Sequence, residues 1–419
     1  MTTRRQFLTI ATMATTALGG PRLLRAQPKE ILVGETHPLT GGFAREGNFG
    51  KQGIELAVNE INAAGGIKSM GGARLKLMVL DNESKPPVAI STMERLKDAG
   101  VVAVLGPYAS GLAFVTTQEA EKYRIPHLLD VAIADQITER GFTYTFRFSP
   151  TAGMGARQTV EYLGGLTRDM KLPFKRVVII HEDGLFGKST ADTLQRLLPT
   201  IGMEVVERIP HNAGAPSLSN EVLKIKAAKA DVVIPSTYYP AHSLIIRTMA
   251  EQRVDTGAIV SVYGGAGSQY RFIKDVGKLA DHMLDGNHWY NPKHPRIKSV
   301  IAAFDKAYQQ PFAYEWMLAY QSAWVLKDAL ERAGAADRER LREALARTNL
   351  KDQIVPYPIV FDDHGQNTQA RALLMQVQSG TIAVVYPSDV AEAKAILPVP
   401  AWEKRMRLSR SSSPASSTG

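Results

Sequence analysis

Short apolar segments alternate along the chain with longer segments in which apolar residues recur every three or four positions. Residues 31–35 form an apolar segment of strand length, and in residues 47–63 the side chains Ile54, Val58 and Ile61 fall on one helical stripe. This alternation continues to about residue 252. Short strands separated by amphipathic helices predict parallel sheets that are covered by helices on both faces. The elements are too many for one such sheet, so we expect an α/β protein with two lobes.

The last third of the chain has a different pattern. Consecutive helices are predicted at residues 297–308, 314–332 and 337–347. The segment 373–385 has the pattern of a β-hairpin with Ser379 and Gly380 at its turn. The preceding Asp-Asp-His-Gly sequence at residues 362–365 is typical of a type I turn, for which a metal or catalytic cluster is the alternative.

The first 26 residues have the order of an export signal, with arginines, an apolar stretch and small residues before a cleavage position after Ala26. Arg4 and Arg5, directly before Gln-Phe-Leu, form a twin-arginine pattern. The apolar stretch, residues 7–20, is too short to span a bilayer. We therefore expect a periplasmic protein that is exported by the twin-arginine route. A disordered cytoplasmic leader is the alternative, and residues 409–419 are expected to form a disordered tail.

Composition excludes several classes of function. The 419 residues are 44% hydrophobic and 22% charged, which provides apolar material for a core in each lobe. The chain contains no cysteine, which excludes disulfides, thiolate metal sites and cysteine nucleophiles. Residues 1–26 hold four arginines and no acid, so removing them lowers the net charge from +9 to +5. This charge is too small to indicate a nucleic-acid partner, and the histidines show no metal-ligand spacing, so no metal or cofactor is expected.

One segment resembles the end of a phosphate-binding loop. Residues 184–190 read Gly-Leu-Phe-Gly-Lys-Ser-Thr, but Glu182 stands where the motif requires its first glycine, and Asp183 adds a second negative charge. Two carboxylates would repel a phosphate. We therefore expect a strand-to-helix turn. A phosphate-binding protein that uses Lys188, or an exported hydrolase, is a weaker alternative, and the chain has no GxSxG nucleophile elbow.

The candidate binding residues lie in loops that follow predicted strands, where α/β folds place their ligands. Ser110 opens a helix, so its hydroxyl lies beside free backbone amides and can form an anion site, although a plain helix cap is the alternative. Aromatic residues at the strand ends of the second half predict an aromatic wall facing a cleft. The candidates are Tyr108, Ser110, Val131, Ala132, Ile133, Phe186, Tyr238 and Tyr263.

Residues 31–47, the sequence GKQGIELAVNEINAAGG at residues 50–66 and the loop 106–111 resemble type I periplasmic binding proteins. The closest group is the leucine/isoleucine/valine-binding family of ABC importers, and the resemblance extends from about residue 29 to residue 385. It implies a monomeric binding protein, not an enzyme, with two α/β lobes joined by three crossover strands. The hinge closes over a small-molecule ligand, and the closed form docks on an inner-membrane ABC permease.

The resemblance also implies lobe boundaries. They place residues 28–148 and 290–355 in lobe 1, and residues 149–289 and 356–400 in lobe 2. The crossings fall near Phe148, near Trp289 and at residues 356–361. Trp289 is also a candidate binding residue.

The family's binding pattern can be carried over residue by residue. Ser110 matches the serine that holds the ligand carboxylate, and Val131 matches the residue that binds through its backbone. Ile133 stands where relatives have a hydroxyl, and Glu46 stands where amino-acid binders have an aromatic residue. The acid that pairs with an α-ammonium group falls at residues 263–264, which are a tyrosine and a glycine.

The missing acid bears on the ligand, because burying an unpaired ammonium group costs several kcal/mol. We expect a branched-chain or other hydrophobic amino acid, with Glu46 as the cation contact, or a related small carboxylate. Phe186, Tyr238 and Tyr263 would line its apolar part. A neutral amide or urea-like solute and an aromatic acid are the alternatives on the same fold.

Overall fold

A computed structural model describes residues 29–264 and 267–407. The predicted export signal and the predicted tail at residues 409–419 lie outside the described residues. Within the described ranges, none of the helices is both long enough and apolar enough to cross a bilayer.

The strands are short and mostly buried. In chain order they are β1 (Glu30–His37), β2 (Arg74–Asp81), β3 (Val104–Leu105), β4 (His127–Leu129), β5 (Thr145–Arg147), β6 (Arg176–Glu182), β7 (Glu204–His211), β8 (Val232–Ser236), β9 (Ala258–Val262), β10 (Leu284–Asn287), β11 (Asn349–Leu350), β12 (Ile359–Val360), β13 (Leu373–Gln378) and β14 (Thr381–Tyr386).

The helices separate most of these strands. They are α1 (Ala44–Ala63), α2 (Pro86–Asp98), α3 (Ser110–Tyr123), α4 (Ala152–Asp169), α5 (Leu185–Leu197), α6 (Ser219–Ala228), α7 (Tyr239–Glu251), α8 (Tyr270–Val276), α9 (Ile297–Tyr308), α10 (Tyr314–Ala333), α11 (Arg338–Ala346) and α12 (Trp402–Arg407).

Two sheets form the cores of two lobes, as the hydrophobic pattern predicts. The first sheet is parallel with the strand order β2-β1-β3-β4-β5. The second has the order β14-β13-β10-β9-β8-β6-β7 and is parallel except for β13, which pairs antiparallel with both β10 and β14. The predicted C-terminal hairpin is confirmed as β13 and β14.

Helices α9 to α11 follow β10 of the second sheet in sequence but pack on the first lobe. Gly53 of α1 lies so close to α10 that an added Cβ would be 2.1 Å from the carbonyl oxygen of Trp316. The chain therefore passes between the lobes after β5, after β10 and before β13. Trp289 lies in the second of these passages, with its ring centroid 4.6 Å from that of Phe312. The residue boundaries assigned to the lobes stay a prediction.

The turn at residues 362–365 is confirmed by its hydrogen bonds. Asp362 Oδ1 accepts from the backbone amides of His364 and Gln366, both at 2.9 Å. Gly365 has a φ of +70°, and a Cβ there would be 2.0 Å from the carbonyl oxygen of Thr145. Asp362 therefore caps backbone amides, and the turn packs against β5.

Candidate functional site

A small cavity lies between the two sheets, where their strand ends face each other. Its walls are formed by loops that follow β3, β4, β6, β8, β9 and β10, together with the start of α10. The lining residues are Tyr108, Ser110, Val131, Ile133, Phe186, Tyr238, Tyr263, His288 and Tyr314.

Seven of the ten predicted binding residues therefore line one cavity, although their roles in binding stay predictions. The other three do not line it. The backbone carbonyl of Ala132 accepts from Arg147 Nη1 at 3.2 Å, and its side chain packs into a small apolar cluster. Glu46 is buried in the first turn of α1, where burial raises its pKa. Trp289 packs in the passage after β10, as described above.

Ser110 is the first residue of α3, and its hydroxyl oxygen organises the next loop. It accepts from the backbone amides of Ile133 and Ala134, both at 3.2 Å. The amide of Val131 donates to Asp130 Oδ1 at 2.7 Å. The family resemblance implies that Val131 binds the ligand through its backbone, but the amides of Val131, Ile133 and Ala134 already have protein acceptors. Because the Ser110 oxygen serves as an acceptor, its own proton remains available for a ligand in the cavity.

A buried charge network supports this loop from behind. His37 Nε2 is 2.8 Å from Asp130 Oδ2, and His37 Nδ1 is 3.0 Å from Glu35 Oε1. Burial lowers the pKa of His37, but Asp130 and Glu35 outweigh it and raise this pKa to about 10. The imidazolium fixes Asp130, which in turn holds the Val131 amide. Sequence reasoning missed this network because both Glu35 and His37 belong to a predicted strand and its loop.

Aromatic rings form most of the cavity wall. The ring centroid of Tyr238 is 5.2 Å from that of Phe186 and 6.1 Å from that of Tyr108. The Tyr108 and Tyr314 hydroxyls face each other, and the centroid of the Tyr314 ring lies 5.7 Å from that of the His288 ring. Tyr314 and His288 were not predicted, because one opens a predicted helix and the other follows a strand without a hydrophobic signal.

Phe43 covers this wall from the first lobe. It precedes α1, and its ring centroid lies 4.7 Å from that of Tyr238 and 5.8 Å from that of Tyr108. It therefore connects an element of one lobe with a cavity residue of the other.

Tyr263 is held in an unusual backbone conformation. Its φ of +53° is in the left-handed region, which costs about 1–3 kcal/mol for a residue other than glycine. Its ring lies against α4, where a Cβ on Gly155 would be 1.9 Å from Tyr263 Cε2. Such strain is concentrated at functional sites, and the glycine makes the space that the ring occupies.

Uncharged residues line the cavity, and a buried arginine lies behind its wall. None of its lining residues is acidic or a lysine or arginine. Behind the wall, Arg147 is fully buried and donates to Gln366 Oε1 at 2.7 Å, to the Ala134 carbonyl at 2.8 Å and to Thr138 Oγ1 at 2.6 Å. These acceptors are all uncharged. Burial lowers the pKa of Arg147 to about 10, so the side chain stays charged at neutral pH.

Direct contacts join the two lobes around the cavity. Ser189 of α5 donates to Asp135 Oδ2 at 2.6 Å. Arg45 of α1 donates to Gln269 Oε1 at 3.4 Å, and Gln269 Nε2 donates to Glu315 Oε1 of α10 at 2.6 Å. Burial raises the pKa of Glu315 to about 8. The structure is therefore in a closed arrangement.

The loop that resembles a phosphate site is filled by its own carboxylate. Glu182 accepts from the backbone amides of Gly184 and Gly187, each at 2.6 Å. These amides are the groups that a phosphate would need. The predicted strand-to-helix turn is confirmed between β6 and α5.

A family model described as periplasmic binding protein matches residues 30–381. The chain belongs to this family. Leu/Ile/Val-binding protein homolog 8 of Brucella abortus (strain 2308) is 28% identical over 377 residues, which cover 87% of this chain and 92% of that protein. This periplasmic binding protein is thus a relative of substrate-binding proteins and not an enzyme, as predicted.

Solved structures confirm the type I fold of this periplasmic binding protein. LivJ of Streptococcus pneumoniae, a branched-chain amino acid transporter substrate-binding protein in complex with isoleucine, is 22% identical with a TM-score of 0.74, covering 88% of this chain and all 100% of LivJ. A solute-binding protein of an ABC transporter from R. palustris, in complex with benzoate, is 19% identical with a TM-score of 0.74, covering 89% and 97% of the two chains.

Proposed function

We propose that this periplasmic binding protein is the substrate-binding component of an ABC importer and captures a small hydrophobic carboxylate between its lobes. The observation that carries the proposal is the charge pattern of the cavity. Ser110 offers a hydroxyl proton, the buried cation Arg147 lies behind the wall without a carboxylate partner among its hydrogen bonds, and no wall residue is acidic. Such a site stabilises an anion.

The same pattern favours a carboxylate without an α-ammonium group over an amino acid. By the family resemblance, the acid that would pair with the ammonium group falls near Tyr263 or Gly264, neither of which is acidic. Glu46, the expected substitute, does not line the cavity. An ammonium group there would be desolvated near a second positive charge. The preferred ligand is therefore a deaminated relative of a branched-chain or other hydrophobic amino acid.

An aromatic acid is the second candidate, and the wall composition favours it. Six of the nine wall residues are aromatic, and their rings can stack on or meet the edges of a ligand ring. The benzoate complex of the similar protein from R. palustris supports this candidate.

The mechanism is capture by lobe closure. The lobes close over the carboxylate, Phe43 covers the cavity, and the closed form docks on an inner-membrane permease. Export through the twin-arginine route, a periplasmic location and a monomeric state complete the proposal. They rest on Arg4 and Arg5 and on the family.

Titration calorimetry with the mature protein tests the ligand class. The probes are 4-methyl-2-oxopentanoate, leucine, benzoate and benzamide. We expect the oxo acid to bind about tenfold or more tightly than leucine, because leucine also carries an ammonium group that the cavity leaves unpaired. Benzoate should exceed benzamide by a similar factor, because benzamide has no negative charge to place near Ser110 and Arg147. Tighter binding of leucine or equal binding of benzamide would overturn the proposal.

A further inference from the structure

Two buried side chains of the cavity wall lack hydrogen-bond partners. Both ring nitrogens of His288 and the hydroxyl of Tyr263 are buried without a partner among the described residues. His288 is only 2% exposed and Tyr263 only 6%. Buried polar groups are normally paired, and these three atoms lie on the wall of a cavity, so they are free to pair with a ligand there.

The protonation of these groups defines what they can bind. Burial, with a further contribution from Arg147, lowers the pKa of His288 to about 3. Burial also holds the pKa of Tyr263 well above its usual range. At neutral pH both side chains are uncharged, and each offers one proton and at least one acceptor. Such a pair matches a carbonyl or hydroxyl oxygen, and the nearby Arg147 disfavours a cationic group.

The two polar regions of the cavity belong to different lobes. Ser110 opens α3 on the first sheet, whereas Tyr263 and His288 follow β9 and β10 of the second sheet. The ring centroids of Tyr263 and His288 lie 4.7 Å apart, so these two side chains form one continuous wall. A ligand with a carboxylate at one end and a neutral oxygen elsewhere would therefore bridge the lobes.

We propose that His288 and Tyr263 form a subsite for a neutral oxygen, so that the preferred ligands are oxo- or hydroxy-substituted carboxylates. This inference rests on the proposed function, in which Ser110 holds the carboxylate. The two residues are specificity-determining residues, because they distinguish an oxygen-bearing ligand from the same carboxylate without that oxygen.

Matched ligand pairs test the proposal on the wild-type protein. The pairs are 4-methyl-2-oxopentanoate with 4-methylpentanoate, 2-hydroxy-4-methylpentanoate with 4-methylpentanoate, and 4-hydroxybenzoate with benzoate. We expect at least one oxygenated member to bind about tenfold more tightly than its partner, and the pair that shows the largest ratio identifies carbonyl or hydroxyl. Equal affinity within every pair overturns the subsite but leaves the proposed function standing. Failure of all these carboxylates to bind overturns both.

Two substitutions assign the effect to the residues. His288→Leu and Tyr263→Phe are expected to reduce the affinity ratio within the responsive pair to within about threefold, while the affinity for the unsubstituted carboxylate stays nearly constant. His288→Gln retains a donor and an acceptor and should keep part of the ratio. A ratio that is unchanged in both His288→Leu and Tyr263→Phe overturns the proposal.

His242 provides a matched control. Both of its ring nitrogens are also buried without a partner among the described residues, and burial likewise lowers its pKa to about 3. Its ring packs on Phe272 in α8, and it does not line the cavity. His242→Leu should leave the affinity ratio unchanged. If it reduced the ratio as much as His288→Leu, the effect would be structural and the subsite would be wrong.

Discussion

Ser110 connects three elements of the proposed site. Its hydroxyl accepts from the amides of Ile133 and Ala134, and its backbone amide faces the Tyr238 hydroxyl. One small side chain therefore holds the next loop in place and presents a proton to the cavity. Burial raises the pKa of Tyr238 far above its usual range, so that hydroxyl also stays neutral.

The substitution Ser110→Ala should weaken carboxylate binding about 10- to 100-fold, because a hydrogen bond to a charged group contributes roughly 1.5–3 kcal/mol. Binding of benzamide should change much less. The control is Ser322→Ala, since the Ser322 hydroxyl is buried in α10 and donates to the Ala319 carbonyl at 2.7 Å. Calorimetry on both variants checks this, and an unchanged carboxylate affinity in Ser110→Ala would contradict the assignment.

Glu315 gives the molecule a specific pH dependence. Burial raises its pKa to about 8 from an ordinary value of 4.5, so the folded state binds this proton more tightly than the unfolded state. Its contribution to stability is complete below about pH 4.5 and is lost as the pH rises towards 8. The loss approaches about 1.4 kcal/mol per pH unit within that window.

Glu315→Gln should therefore flatten the pH dependence of the free energy of unfolding between pH 5 and pH 8. Denaturant unfolding at several pH values measures this. Glu46 and Glu35 also have pKa values raised by burial, so part of the slope remains in the variant. A slope as steep as in the wild type would show that Glu315 is ionised in the folded protein.

At the scale of elements, α4 positions the wall residue that follows β9. Gly155 of α4 leaves space for the ring of Tyr263, and Tyr263 already has a strained backbone. The helix and the loop after β9 therefore depend on each other for their positions.

Gly155→Ala should displace the Tyr263 ring and lower ligand affinity about tenfold or more, even though alanine favours the helix by about 1 kcal/mol. Gly164→Ala in the same helix is the control, because its Cβ would meet only the side chain of Ile201, at 2.9 Å. Measurement of the thermal stability and the ligand affinity of both variants tests this prediction. Equal affinities in the two variants would show that Tyr263 does not depend on Gly155.

The sequence pattern predicts most helices and strands, but it misses strands that are both buried and polar. The strand β10 reads Leu-Asp-Gly-Asn, and its Asp285 is satisfied by Ser261 and Ser268, so no hydrophobic signal marks it. The pattern also misses β5, which is short and buried along its whole length. Burial on both faces removes the alternation by which a strand is recognised.

The same limits apply to the site. Tyr108, Ser110 and Tyr263 follow strands or open helices in loops that the sequence marks, so they could be predicted to share one sheet edge. His288 could not be predicted to lie at this edge, because the sequence pattern does not mark β10 as a strand. The partners of a side chain, such as the network of His37 and Asp130, depend on contacts between distant segments and are visible only in the folded structure.

At the scale of the whole molecule, contacts between the lobes control how long a ligand stays. Phe43→Ala removes the ring that covers Tyr238 and Tyr108, so the dissociation rate of a bound carboxylate should rise about tenfold. The stability of the free protein should change little. Ile90→Ala, at an exposed apolar residue of α2, is the control. Stopped-flow measurement of the ligand dissociation rate tests this prediction. An unchanged rate in Phe43→Ala would show that Phe43 does not help to retain the ligand.

We propose that the two lobes enclose a small carboxylate and that Ser110 and the field of Arg147 recognise its charge. A crystal structure of the complex with the tightest-binding carboxylate of the series tests this proposal. We predict a ligand carboxylate oxygen within hydrogen-bond distance of Ser110 Oγ, the hydrophobic part among the aromatic walls, and no acidic side chain in contact. A ligand outside this cavity, or one whose carboxylate lies away from Ser110, would contradict the account.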